Sequence, residues 1–177
     1  MLRPGMPAPS LNVPLVSGGH FDLGQAAIDT FLLIDVYRGL HCPRCHRHVL
    51  DLNSKAAHLA RRGVSTLAVS MDPADRAQQA KECWGIDNVP IAYGLQVQDV
   101  DRWDLFLSKS INERERSEYF AEPATFLISP DKRLYSAVYN STPFNRFGFA
   151  DMLEAIDTIV VRSYPPRGDV DPTRLPA

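Results

Sequence analysis

Two of the three cysteines in this 177-residue chain stand close enough in sequence to react with each other. Cys42 and Cys45 form a C-x-x-C pair around Pro43 and Arg44, whereas Cys83 is remote from both. In such a pair one thiolate attacks an electrophile, and the second thiol resolves the product as a disulfide. Three cysteines do not make a closed disulfide framework, and a cytosolic protein would not normally keep one. The pair therefore indicates redox chemistry, with Cys42 attacking and Cys45 resolving.

The pair lies where an apolar strand gives way to an amphipathic helix. Residues 31–37 form an apolar, β-prone run that is typical of a buried strand, and Gly39 ends it. From Pro43 to Gly63, apolar residues recur at helical spacing: Val49, Leu52, Ala56 and Leu59. The predicted turn places Cys42 at a helix N-terminus, where unpaired N–H groups and the helix dipole favour a thiolate. We therefore expect a depressed pKa for Cys42 and a near-normal pKa for Cys45.

Arg38 is the basic residue that we expect to partner the Cys42 thiolate. It stands in the same turn, four residues before the cysteine, and Arg44 and His41 add positive charge nearby. A guanidinium has fixed donors and never deprotonates, so it can hold a thiolate or a peroxide oxygen without exchanging a proton. The alternative is a solvated turn arginine, because turns at sheet ends are usually exposed.

The remaining pattern predicts one α/β domain over residues 1–164, followed by a loose Pro-rich C-terminal tail over residues 165–177. Strand, helix, strand and helix precede a hairpin and a closing helix, the order of a parallel unit extended by antiparallel strands. The further elements are a hairpin over 11–23, a strand over 64–70, a helix capped by Asp72 and closed by Gly85, a short strand over 89–95, a helix over 97–107, strands over 124–128 and 133–140, and a helix over 149–161.

Composition excludes several classes of protein. Hydrophobic residues make up 45% of the chain, which argues against intrinsic disorder. The formal net charge of −2 gives no basic footprint for nucleic acid. No apolar run reaches the roughly 18 residues that span a membrane, and the N-terminus offers no apolar signal core. We therefore expect a cytoplasmic protein that binds neither nucleic acid nor membrane.

The cysteine pair admits other interpretations. Cys42 and Cys45 could be buried structural residues without redox activity. With His46 and His48 they could hold zinc, although structural zinc sites usually join two ligand pairs that are separated in sequence. The run from Cys42 to His46 also matches the c-type haem attachment pattern C-x-x-C-H, which would normally require export. Otherwise we expect His46 and His48 to be solvated helix residues.

Two segments resemble a known family. Residues 37–45 (YRGLHCPRC), preceded by the apolar strand, resemble the active-site segment of peroxiredoxin-like proteins of the alkyl hydroperoxide reductase and thiol-specific antioxidant family, which belong to the thioredoxin superfamily. Residues 123–131 (PATFLISPD) resemble the later segment that faces the active cysteine. The resemblance covers roughly residues 3–162. It implies a thioredoxin-like α/β fold, with a central mixed sheet flanked by helices.

The chain also departs from this family at two positions. Its peroxidases usually carry a Thr three positions before the peroxidatic cysteine, where this chain has Gly39. The usual Arg before the Ala-Thr-Phe strand is replaced by Pro123. In thioredoxin-like oxidoreductases a cis-proline occupies that place against the disulfide, so the resemblance predicts a cis Glu122–Pro123 bond. Thiol–disulfide exchange therefore stands beside peroxide reduction as the expected activity.

We therefore expect a peroxiredoxin-like thiol oxidoreductase that reduces hydroperoxides or protein disulfides, with Cys42, Cys45, Arg38 and Pro123 as site residues. It needs no cofactor or metal, and thioredoxin or another dithiol would be its reductant. The family resemblance suggests a homodimer. The alternatives are a non-catalytic zinc module and a redox-inert thioredoxin-like interaction domain.

Three further features have default structural interpretations. Cys83 is expected to be a half-buried packing residue. Asp35 is either hydrogen-bonded to backbone or a buried proton acceptor, as a buried Asp serves in thioredoxins. The charged run over residues 112–118 is expected to be solvated surface.

Overall fold

The computed structural model describes residues 2–174, the last of these by its backbone alone. This part of the chain forms nine strands and four α-helices, and a short 3-10 turn over Pro172–Arg174 follows them. In chain order they are β1 (Asn12–Pro14), β2 (His20–Asp22), β3 (Phe31–Val36), α1 (Pro43–Ala60), β4 (Val64–Val69), α2 (Ala74–Trp84), β5 (Ile91–Ala92), α3 (Val97–Arg102), β6 (Leu107–Lys109), β7 (Tyr119–Ala121), β8 (Ala124–Ile128), β9 (Leu134–Tyr139) and α4 (Phe149–Arg162).

Five strands form a central mixed sheet in the order β5-β4-β3-β8-β9. β3 pairs in parallel with β4 and antiparallel with β8, and β9 continues the antiparallel half. Two small antiparallel pairs, β1 with β2 and β6 with β7, lie outside this sheet. The predicted α/β fold with a central mixed sheet is therefore confirmed, as are the two predicted hairpins.

β3 can lie at the centre of the sheet because five of its six residues are apolar and the sixth, Asp35, is hydrogen-bonded to other side chains. Every residue from Phe31 to Val36 is buried. Alternate side chains point to opposite faces of a strand. Leu33 packs in the core formed with α1, α2 and α4, whereas Leu32 and Ile34 pack in the core on the other face. The same alternation directs Asp35 toward the α1 face.

The turn between β3 and α1 follows from two residues that restrict the backbone. Gly39 has φ +132°, a conformation that residues with a side chain rarely adopt. A Cβ built there would lie 2.7 Å from Oδ2 of Asp72, so the position also lacks room. Cys42 is the N-cap of α1 and Pro43 its first residue, where the missing N–H is harmless. The sequence prediction of a helix beginning at Pro43 is confirmed.

Asp72 does not have the role that the sequence suggested. Pro73 is the N-cap of α2 and makes no side-chain cap. The Asp72 carboxylate instead accepts the backbone N–H of Leu40 at 2.7 Å and contacts Nε of Arg76 at 3.0 Å. It thus ties α2 to the turn that precedes Cys42. Gly85 ends α2 in the left-handed conformation, as predicted.

The second half of the chain differs from prediction mainly at element ends. The helix expected over 97–107 ends at Arg102, because Asp104 adopts φ +51° and the chain turns into β6. Beyond α4, the Tyr135 hydroxyl donates to the carbonyl of Tyr164, and Arg3 pairs with Asp171 at 2.9 Å. Residues 175–177 of the expected tail lie outside the described residues. No helix in the described range is long and apolar enough to cross a membrane.

Candidate active site

Cys42 and Cys45 lie together at the first turn of α1, and both are free thiols. The backbone N–H of Cys45 donates to Sγ of Cys42 at 3.2 Å, which closes the N-cap. The two residues are almost inaccessible, with relative exposures of 2% for Cys42 and 0% for Cys45. The pair is thus one helical turn apart, buried and hydrogen-bonded.

The two thiols differ strongly in acidity. The hydrogen bond from the Cys45 thiol lowers the pKa of Cys42 to about 6, and backbone N–H groups and the charge of Arg38 act in the same direction against burial. Burial raises the pKa of Cys45 above its ordinary value, and its position as donor to Cys42 adds to the effect. The direction expected for Cys42 therefore agrees with the structure. The near-normal pKa expected for Cys45 does not, because Cys45 falls four residues before Val49 on the buried face of α1, a helical spacing that the expectation left out of account.

Arg38 is held by acidic residues rather than exposed on a turn. Its Nη2 donates to Oε1 of Glu115 at 3.2 Å, and its Nε lies 3.5 Å from Oε1 of Glu122. The guanidinium also lies over the ring of Phe120, 4.4 Å from the centroid. Only 15% of the side chain is exposed, and its positive charge contributes to the low pKa of Cys42.

Glu115 corrects the interpretation of the charged run over residues 112–118. It is only 7% exposed, and it also accepts the backbone N–H of Ile111 at 2.8 Å. Nothing in that run distinguishes Glu115 from the neighbouring acidic residues, because its partner Arg38 lies 77 positions away. No sequence signal could have identified this contact.

A second ionic cluster lies on the α1 face of β3. Oδ1 of the fully buried Asp35 accepts from Thr125 at 2.8 Å and from Arg146 at 2.9 Å, and lies 3.3 Å from Nε2 of His48. Burial raises the pKa of Asp35, but Arg146, His48 and the hydrogen bonds lower it overall. Asp35 is therefore an ionised partner of Arg146. This differs from the interpretation as a side chain hydrogen-bonded to backbone, whereas the role of a proton acceptor stays a prediction.

His48 is buried, contrary to its expected place on a solvated helix face. Helical spacing carried a signal for this, since His48 falls three residues after Cys45 and four before Leu52, both of which are buried. Cys83 also differs from expectation, because it is exposed rather than half-buried.

The described residues do not support the zinc interpretation. The ring of His46 stacks on Trp84 at 5.2 Å, and His48 is engaged with Asp35. These two side chains therefore point away from a common centre with the cysteines. Across residues 2–174 no three His, Cys, Asp or Glu side chains come together in a way that could hold a metal ion.

Pro123 lies at the expected end of the central strands, but the peptide bond before it is not cis as expected. Val36 pairs with Ala124, so Pro123 is level with the point where β3 runs into the cysteine turn. The described residues contain no cis peptide bond, and the prediction of a cis Glu122–Pro123 bond is therefore wrong. The extended path from β7 into β8 accounts for this, because the trans bond is the default where no tight turn is needed.

Comparison with known proteins identifies the family. The model of the AhpC/TSA family matches residues 4–137, which is most of the chain. No curated protein is a significant match to the sequence.

Several solved peroxiredoxin structures share this fold. The 2-Cys peroxiredoxin of Plasmodium vivax superposes with a TM-score of 0.77 at 19% identity, covering 99% of this chain and 90% of that one. Peroxiredoxin 6 of Arenicola marina gives a TM-score of 0.76 at 15% identity, covering 93% and 76% of the two chains. The peroxidoxin BcpB of Mycobacterium tuberculosis gives 0.73 at 16% identity, with 90% and 99% covered.

These structures establish the thioredoxin-like fold, and the family match extends over both segments that carry the resemblance. The described geometry adds a buried cysteine pair with one acidic thiol at the carboxyl end of the central strand. The chain belongs to the AhpC/TSA family and is a thiol-dependent oxidoreductase of the peroxiredoxin type.

Proposed function

We propose that this protein reduces hydroperoxides, with Cys42 as the attacking thiolate and Cys45 as the resolving thiol. The observation that carries the proposal is the 3.2 Å hydrogen bond from the Cys45 N–H to Sγ of Cys42, in a pair whose pKa values are driven in opposite directions. The thiolate, not the thiol, is the nucleophile, and a pKa of about 6 makes Cys42 mostly thiolate at neutral pH.

In the first step the Cys42 thiolate attacks the terminal oxygen of R–O–O–H. The S–O bond forms, the O–O bond breaks, and the alkoxide RO⁻ leaves and takes up a proton from solvent to give ROH. Cys42 is thereby oxidised to the sulfenic acid. The Cys45 thiol then attacks the Cys42 sulfur, an S–S bond forms, and the departing hydroxide combines with the Cys45 proton to give water. A thioredoxin-type dithiol would reduce the disulfide and become oxidised itself.

Arg38 supports this role because it is the charged donor that acts on Cys42. Its Nε makes no hydrogen bond with the described residues, although it lies 3.5 Å from Oε1 of Glu122. Gly39 and Pro123 stand where family peroxidases carry a Thr and an Arg, so neither can supply the usual contact. We propose that Arg38 takes over the electrostatic part of that contact.

Protein disulfide reduction is the second candidate, since a C-x-x-C pair at a helix N-terminus also performs thiol–disulfide exchange. Burial favours the peroxide. With 2% and 0% exposure, the two sulfurs admit a small molecule more readily than a disulfide carried by another protein. The name of the Vibrio vulnificus structure with the same fold, reduced Prx3 in complex with hydrogen peroxide, is consistent with a substrate of that size.

The decisive experiment mixes reduced protein rapidly with hydrogen peroxide and, separately, with an oxidised model protein substrate. The proposal expects faster oxidation by peroxide, with a Cys42–Cys45 disulfide as the product in mass spectrometry. Cys42→Ser should abolish the reaction, whereas Cys45→Ser should stop it at the sulfenic acid. Faster reaction with the protein disulfide would instead favour the second candidate.

We further propose that a cytoplasmic thioredoxin is the reductant and that the protein is a homodimer, both from the family resemblance. Recycling assays with thioredoxin and its reductase test the identity of the reductant. Light scattering tests the oligomeric state, and cell fractionation tests the location.

A further inference from the structure

A cavity of about 450 Å³ opens between the first turns of α1 and the loop that precedes α4. Arg44, Arg47 and His48 line it from α1, and Phe144 and Arg146 line it from the loop. Its volume falls within the range of small-molecule sites. Arg44 lies between Cys42 and Cys45 in the sequence, so the cavity borders the helical turn that carries the cysteine pair, although neither cysteine is among its lining residues. The charge of Arg146 also acts on the Cys45 thiol.

The lining is strongly basic. Within residues 2–174, Arg44 and Arg47 are exposed and form no ion pair, and Arg44 lies over the ring of Phe144 at 5.3 Å. The acidic residue of the lining, Asp51, already accepts the backbone N–H of Phe149 at 2.8 Å. Two cationic side chains thus face this cavity without an anionic partner from the described protein.

Arg146 adds a buried donor to the same wall. Its side chain is only 6% exposed, and Nη2 donates to Asp35. Its Nη1 is buried and makes no hydrogen bond within the described range. A buried donor without an acceptor is unfavourable, so an acceptor at this wall would be favoured. The unpartnered Nη1 is an observation independent of the exposed arginines.

We propose that this cavity binds the carboxylate of a small substrate whose reactive end reaches Cys42. The guanidinium fork matches the geometry of a carboxylate, which favours arginine over other cations for this purpose. The ring of Phe144 is 53% exposed and offers apolar surface to the carbon chain of such a ligand. The proposal rests on the proposed function, because it names the substrate class of the same site.

A carboxylate of this kind could belong to the oxidant, a hydroperoxide, or to the reductant, a thiol. The oxidation arm of the test compares a hydroperoxyhexanoate with its methyl ester as oxidants of the reduced protein. The reduction arm compares mercaptohexanoate with its methyl ester against the Cys42–Cys45 disulfide. In that arm two thiol molecules are consumed, and they form one disulfide between them as the protein pair is reduced.

We expect the carboxylate to react about tenfold faster than its ester in at least one arm, the effect of one charge-assisted hydrogen bond. Arg47→Ala should reduce this ratio severalfold, whereas Arg61→Ala, an exposed arginine at the other end of α1, should retain it. Hexanoate, which cannot react, should bind the reduced protein in calorimetry and bind Arg47→Ala more weakly.

A preference in the oxidation arm alone assigns the site to the hydroperoxide, and one in the reduction arm alone assigns it to the thiol. A preference in both arms assigns it to both. Equal rates for acid and ester in both arms overturn the proposal, as does a preference that Arg47→Ala leaves intact. Oxidation of the wild-type protein by hydrogen peroxide tests the proposed function independently of the carboxylate site. If hydrogen peroxide fails to oxidise the wild-type protein, the proposed function is contradicted. Hexanoate binding then still tests the cavity.

Discussion

Arg38 donates to Glu115 across 77 positions of sequence, at 3.2 Å. Glu115 belongs to a loop that packs over the cysteine turn, so the contact fixes a guanidinium whose charge lowers the pKa of the attacking thiol. The sequence singles out Arg38 as a candidate partner of Cys42, but it does not distinguish Glu115 from the neighbouring acidic residues. Their pairing argues against the alternative of a solvated turn arginine and makes Arg38 a fixed charge beside the cysteine turn.

Arg38→Ala is expected to raise the pKa of Cys42 and to slow its oxidation by hydrogen peroxide about tenfold, because a charge-assisted contact is lost. Arg38→Lys should recover part of the rate, since it keeps the charge but not the planar fork. Thiolate absorbance against pH and stopped-flow rates provide the measurements. Arg61→Ala serves as the control for a lost exposed arginine. An unchanged titration would place Arg38 outside the mechanism.

The rate of oxidation should follow the ionisation of Cys42. Because the pKa of Cys42 is lowered to about 6, the rate should rise as the pH increases through that value and level off above it. Cys45→Ala removes the strongest stabilising contact and should move the profile to higher pH. Cys45→Ser keeps a donor and should move it less. A profile with its midpoint near the ordinary thiol pKa would contradict this account.

Gly39→Ala is expected to destabilise the fold by about 2 kcal/mol or more, because the alanine would adopt a strained positive φ and its Cβ would also clash with a neighbouring side chain. A Cβ at this position would meet Oδ2 of Asp72 at 2.7 Å. Gly18→Ala is a matched control, because Gly18 has φ +92° and a Cβ added there would have nothing within 4 Å. Urea unfolding of the two variants separates strain from clash. If both variants lose the same stability, the clash with Asp72 contributes nothing to the effect of Gly39→Ala.

Asp35→Asn is expected to destabilise the protein by about 3–5 kcal/mol at neutral pH, because it leaves the buried guanidinium of Arg146 without its counter-charge. Thr125→Val should remove about 1 kcal/mol through a single lost hydrogen bond. The folded pKa of Asp35 lies below its ordinary value of 3.8, so its contribution is present above 3.8 and is lost as the pH falls through the folded pKa. Chemical unfolding at neutral and acidic pH measures the difference, which should shrink in acid.

The sequence by itself determined the order of the central strands and the helices and the position of the cysteine pair, but not the small pair of strands β6 and β7. The apolar run of β3, the break at Gly39 and the helical spacing after Pro43 are local signals. They placed Cys42 at a helix N-terminus with Cys45 one turn later. Two short segments of the sequence also carried the resemblance to the peroxiredoxin family.

Only the tertiary structure decided which residues pair with the charged side chains around the cysteines. Arg38 meets Glu115 and Glu122, and Asp35 meets Arg146, through contacts that join distant parts of the chain. Charged residues are ordinarily solvated, so neither composition nor periodicity identifies those that become buried in pairs. The trans bond before Pro123 was decided in the same way, by the extended path between β7 and β8. Burial and ion pairing depend on packing, and packing brings together residues that are far apart in the sequence. A local pattern cannot indicate such contacts.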